Sequence, residues 1–93
     1  MILAVRHTTA DYAAWKRVFD EHGAVRKEHG AARHTLFVSA DDPNTVMVIH
    51  DFPDRASIDA FRNDPSLAEA MQRAGVITVP DITVWELEEE TPY

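Results

Sequence analysis

Ala31-Ala32-Arg33-His34-Thr35-Leu36-Phe37-Val38-Ser39-Ala40, then Asp41-Asp42-Pro43-Asn44, then Thr45-Val46-Met47-Val48-Ile49-His50-Asp51-Phe52: this stretch decides the fold. Two runs rich in β-branched and aromatic residues flank a concentrated turn signal. So short a link predicts an antiparallel hairpin, with strands over 31–40 and 45–52. Toward the N-terminus, Tyr12, Trp15, Phe19, His22 and Arg26 recur at spacings of three and four, with Val18 and Val25 beside them. That period predicts one amphipathic helix of about five turns, capped by the Asp11 carboxylate and stopped by Gly30. Residues 2–7, closed by Thr8-Thr9, read as an opening strand.

Beyond the hairpin, Asp54 is placed to cap a second helix whose apolar face carries Ile58 and Phe61. Asp64-Pro65 breaks that helix and restarts it with Pro65 in the first turn. Leu67, Ala70, Met71 and Ala74 continue the stripe to Gly75, and Ile82–Leu87 follows Pro80 as a last strand. The order strand, helix, strand, strand, helix, strand is the split βαβ arrangement, an α+β ferredoxin-like fold. It predicts a four-stranded antiparallel sheet of order 4-1-3-2, with both helices on one face. Residues 1–88 form the single domain and 89–93 an exposed acidic tail.

Both faces of the strands are apolar: Val46, Val48 and Phe52 oppose Met47 and Ile49, and Ile82 and Val84 oppose Trp85 and Leu87. Two helices cover only one face, so the other is expected to meet a second copy of the chain in a two-fold homodimer. The chain has 93 residues, 45% of them hydrophobic, with no cysteine and a formal charge of -7. Disulfides, thiolate nucleophiles and cysteine-ligated metals are excluded. The acidic balance disfavours nucleic acid and anionic membrane as partners. With no long apolar run and no signal-peptide pattern, the chain reads as cytoplasmic.

His7, Asp11-Tyr12, Trp15-Lys16, Phe19-Asp20 and His22, with Asp41-Asp42-Pro43-Asn44 and the run from Asp64-Pro65 through Met71 to Arg73-Ala74-Gly75, resemble small members of the dimeric α/β-barrel superfamily. Within it the chain is most similar in character to the antibiotic-biosynthesis monooxygenases and polyketide cyclases. The resemblance covers nearly the whole chain. It implies two sheets packed face to face and a pocket in each subunit between sheet and helices. The superfamily also holds haem-degrading oxygenases, isomerases and stress proteins, so function has to be argued from the site.

Five histidines supply the chemistry-bearing candidates. With the first and third strands read as parallel neighbours, His7 and His50 are expected at one edge of the sheet, facing the start of the first helix. Tyr12 and Trp15 would line that end, with Phe19 adding to the aromatic wall. His22, about 10 Å further along the same helix face than Trp15, would reach the middle of the pocket. His29 reads as a cation at a helix C-terminus, and His34 as an edge-strand residue, exposed or at a dimer seam. Arg6 and Arg33 either neutralise an acidic substrate or pair across strands. No metal-ligand spacing occurs, so a site from His7, His22 and His50 would have to be assembled by the fold, and no nucleotide fingerprint occurs either.

The resemblance implies a cofactor-independent enzyme acting on a small apolar carbonyl or phenolic compound, and a neutral imidazole, that of His7, His22 or His50, is suited to serve it as general base. Tyr12 would hydrogen-bond the resulting anion, and the outcome would be cyclisation or metal-free oxygenation. The alternative is a non-catalytic ligand-binding, structural or accessory dimer whose aromatic residues are only core.

Overall fold

A computed structural model describes residues 1–93. Strand β1 (Ile2–Thr8) leads into helices α1 (Tyr12–Glu21) and α2 (Gly23–Glu28), then the hairpin β2 (Arg33–Val38) and β3 (Thr45–Asp51). Helices α3 (Arg55–Arg62) and α4 (Pro65–Arg73) and strand β4 (Asp81–Trp85) complete the chain. The sheet order is β2-β3-β1-β4 with every neighbouring pair antiparallel, which is the expected ferredoxin-like topology. No helix is long and apolar enough to cross a membrane.

The helices cover one face of the sheet because the strands alternate. Leu3, Val5 and His7 of β1 and Val46, Val48 and His50 of β3 are buried, while their neighbours in sequence turn to the other side. One core cluster joins Leu3 and Val5 to Phe52, Ile58 and Phe61; a second joins Trp15 to Val46, Val48 and Ala74. Each fully buried side chain of this size contributes about 1.5–3 kcal/mol relative to exposure, so the two strips carry most of the hydrophobic stabilisation.

The helix ends differ from expectation at two places. Asp11 has the extended backbone of an N-cap, but its carboxylate accepts no capping hydrogen bond. The role passes to Asn44 in the hairpin turn, whose Oδ1 accepts from the Tyr12 N–H at 3.0 Å. That turn is itself fixed by Asp42, which accepts from the Asn44 N–H at 2.9 Å and from the Thr45 hydroxyl at 2.7 Å. The single five-turn helix is instead two helices meeting at His22, where ψ closes to -1° and Gly23 follows. Glycine is a poor helix former, and the chain bends there. The second break falls where Asp64-Pro65 places it: Asp64 caps α4 by accepting from the Ser66 N–H at 2.9 Å, as Asp54 caps α3 through Ser57. Gly30 takes φ of +93°, the left-handed conformation that ends α2.

The helix-free face is a mixture. Ile2, Ala4, Met47 and Ile49 are half-buried there, and Trp85 of β4 is 58% exposed. Arg33 pairs with Asp51 across β2 and β3 at 3.2 Å, and Arg6 with Asp81 across β1 and β4 at 3.6 Å. Both arginines are therefore cross-strand partners.

Candidate functional site

A cavity of about 60 Å³ lies between the sheet and the helices. The inner faces of β1 and β3 give it His7 and His50, α1 gives Trp15 and Phe19, and Phe61 and Met71 close it from α3 and α4. It is well below the ~300 Å³ of an ordinary small-molecule site. A ring-sized ligand therefore enters only if side chains of the helical layer move.

The antiparallel register separates the two strand histidines. His7 lies opposite Val46 and His50 opposite Leu3, so four residues, about 13 Å, part them along the sheet. The expectation that they share one edge is overturned, because β1 and β3 run in opposite directions. They share a face, and they line opposite ends of the same cavity.

Their environments differ as well. His7 is 6% exposed, packs edge-on to Trp15 with ring centroids 5.7 Å apart, and has no hydrogen-bond partner for either ring nitrogen. Burial lowers its pKa, so the imidazole is neutral. Nδ1 of His50 is likewise without a partner, and burial, followed by the charges of Arg26 and His34, lowers its pKa to about 3. His22 is buried with Nε2 2.9 Å from the Ser66 hydroxyl, so one of its nitrogens is engaged. Burial and then Arg26 lower its pKa too. No three His, Asp or Glu side chains gather as metal ligands, so His7, His22 and His50 form no such trio.

Of the aromatic residues, Trp15 is buried and stacks on Phe19 at 4.9 Å and 19°. Tyr12 packs on Trp15 at 5.9 Å but does not line the cavity. His34 is exposed on the helix-covered face, edge-on to Phe19 at 5.0 Å. His29, at the end of α2, pairs with Asp64, at the start of α4, at 2.8 Å, and the bonds from His29 and Ser66 lower the Asp64 pKa to about 2.

The sequence places Arg26 in the stripe of the first helix but assigns it no role. The residue is 6% exposed on α2, its guanidinium carbon 3.8 Å above the Phe19 ring and its Nη2 donating to the Phe19 carbonyl oxygen at 2.9 Å. Its phase with Phe19 and His22 was the available signal, since residues four and seven apart share a helix face. The site thus combines neutral imidazoles, an aromatic wall and one buried cation.

Comparison with known proteins agrees with this architecture. SnoaB, a cofactor-independent oxygenase from Streptomyces nogalater, is 19% identical, with a TM-score of 0.73 over 94% of this chain and 93% of that one. Rv0793 from Mycobacterium tuberculosis is 18% identical, with a TM-score of 0.73 over 97% of both chains. NE2512, a protein of unknown function from Nitrosomonas europaea, is 22% identical, with a TM-score of 0.74 over 99% and 93%. These likenesses carry the fold. No curated protein sequence matches the chain. Residues 3–73 match the family described as antibiotic biosynthesis monooxygenase, and by that match, spanning most of its length, the chain belongs to that family.

Proposed function

We propose that the protein is a cofactor-independent enzyme in which neutral His7 takes a proton from an activated carbon or phenol of an apolar aromatic substrate. The observation that carries this reading is the pair of unpartnered ring nitrogens of His7, buried at the wall of an apolar cavity. Leaving such groups unsatisfied costs about 1–3 kcal/mol each, and a substrate that exchanges hydrogen bonds with them removes the cost. His22 is the weaker candidate because Ser66 engages it, and His50 because a pKa of about 3 makes it a poor base. Tyr12, off the cavity wall, is replaced as anion stabiliser by no other hydroxyl there.

The proton leaves a carbanion or phenolate whose electrons pass to dioxygen. Carbon–oxygen bond formation gives a peroxide that takes the proton back from the imidazolium. Loss of water then turns a CH₂ into a carbonyl, with one dioxygen consumed and one water released. Membership of the antibiotic biosynthesis monooxygenase family, with a fold shared with the cofactor-independent oxygenase SnoaB, supports oxygenation over cyclisation as the first outcome to assay. The test is oxygen uptake with a panel of anthrones and naphthols: His7→Phe is expected to lose a factor of about 10²–10⁴ in turnover. Activity within about threefold of wild type would reject the base role.

A second copy covering the open sheet face belongs to the same reading, supported by Ile2, Met47, Ile49 and the exposed Trp85 on that face. Sedimentation giving a monomer at micromolar concentration would remove it. The non-catalytic reading draws on one observation, the narrowness of the cavity. Saturable binding of aromatic probes without turnover of any would favour it.

A further inference from the structure

Arg26 is a buried cation with no carboxylate in ion-pair contact, the charge of Asp20 acting on it from further off. The chain has 16 acidic residues, and four of its six other arginines, Arg6, Arg33, Arg55 and Arg73, each sit beside one of them. Arg26 forms no ion pair, and the bond from Nη2 to the Phe19 carbonyl is the one hydrogen bond its guanidinium makes. Taking an arginine out of water in this state is unfavourable, and the group remains charged. Gly23 leaves space for it: a Cβ there would lie 3.4 Å from Nη2.

The surroundings add one further cation outside any ion pair, Lys27. Between α2 and β2 lies a second hollow of about 290 Å³, walled by Arg26, Lys27, Arg33, His34 and His50 with no carboxylate among its lining residues. Arg26 and His50 belong to this hollow and to the apolar cavity alike, so these two side chains stand between the two spaces. Arg26 and Lys27 carry the free charge of this hollow, since Asp51 already holds Arg33 and burial keeps His50 neutral.

We propose that Arg26 anchors the carboxylate of an amphiphilic aromatic ligand, held at the junction of the two hollows with its apolar body directed toward Phe19 and Trp15. This rests on the reading of the cavity as the substrate site and narrows the substrate to an aromatic acid. A guanidinium presents parallel N–H groups that match a carboxylate and no neutral group equally well. The anion lies at the His50 end, so the far end of the ligand points toward His7, about 13 Å away along the sheet. Arg26 is then the residue that selects the ligand and sets which end meets the base.

The test compares 2-naphthoate with its neutral counterpart 2-naphthamide by calorimetry on the full chain. Wild type is expected to bind naphthoate at least about tenfold more tightly. Arg26→Gln is expected to reduce that preference to within about twofold while leaving naphthamide affinity in place. Arg26→Lys, which keeps charge but loses the planar fork, is expected to fall between. Equal binding of both probes to wild type, or an unchanged preference in Arg26→Gln, would overturn the anchor while leaving the cavity reading intact. Binding of neither probe would reject both. Should Arg26→Gln fail to fold, the wild-type ratio and Arg26→Lys still decide.

Discussion

Acidification is expected to destabilise the protein through His50, and by a calculable amount. The side chain is 4% exposed, its Nδ1 is unpartnered, and Arg26 from α2 and His34 from β2 face it. Together with burial they move its pKa from 6.5 to about 3. In the unfolded chain the imidazole returns to about 6.5, so between these values the unfolded state binds the extra proton. The stability contributed by neutral His50 is therefore complete above about pH 6.5 and is lost as pH falls toward about 3. At about 1.4 kcal/mol per unit, the two units between about pH 6.5 and 4.5 remove about 2.7 kcal/mol. Urea unfolding followed by circular dichroism near pH 7 and near pH 4.5 measures this, with His50→Leu as the comparison. His7 and His22, also lowered by burial, contribute losses of the same sign in both proteins. Asp42, Asp54 and Asp64, lowered by hydrogen bonds, lose their contribution below the ordinary carboxylate range in both. The difference between the two proteins thus isolates His50. The variant is expected to lose about 2–3 kcal/mol less on acidification and to be at least as stable near neutrality, because an unpaired buried nitrogen has gone. An equal acid loss in both proteins would refute the reasoning.

Asn44→Ala is expected to cost about 1 kcal/mol in chemical denaturation by uncapping α1, whereas Asp11→Ala costs little because its carboxylate caps nothing. Gly30→Ala forces a side chain into a φ of +93° and brings its Cβ to 3.3 Å from Pro53, and is expected to lower stability by about 1–2 kcal/mol. Trp15→Ala, emptying the space between His7 and Phe19, is expected to cost about 3–5 kcal/mol and to enlarge the cavity, so that naphthalene-sized ligands raise the melting temperature of the variant more than that of the wild type. Ile49→Glu, on the open sheet face, is expected to shift sedimentation from dimer to monomer while leaving the circular dichroism spectrum unchanged.

The fold was legible because its signals were local. Alternation in the hairpin, the Asp41–Asn44 turn and the Asp64-Pro65 restart each reside in a few consecutive residues, and each is where the sequence puts it. The direction of β3 relative to β1 was also available: the hairpin runs β3 against β2, and the crossover runs β2 with β1. The same-edge placement of His7 and His50 ignores that step. The Asn44 cap and the His29–Asp64 and His22–Ser66 contacts join residues more than thirty positions apart, and no local pattern announces them. Arg26 was obscured by its type, since arginine at an inward helix position is ordinarily assigned to solvent.

The two cross-strand ion pairs on the helix-free face bear on how that face can be covered. Arg33–Asp51 and Arg6–Asp81 stand at opposite flanks of the apolar strip, each cation already matched to its own anion. A molecule settling there meets both arginines already matched to carboxylates, Asp51 also holding the N-terminal ammonium at 3.8 Å, and the desolvation it imposes falls on pairs whose attraction strengthens as water leaves. Breaking either couple, by contrast, would strand a naked charge under the lid.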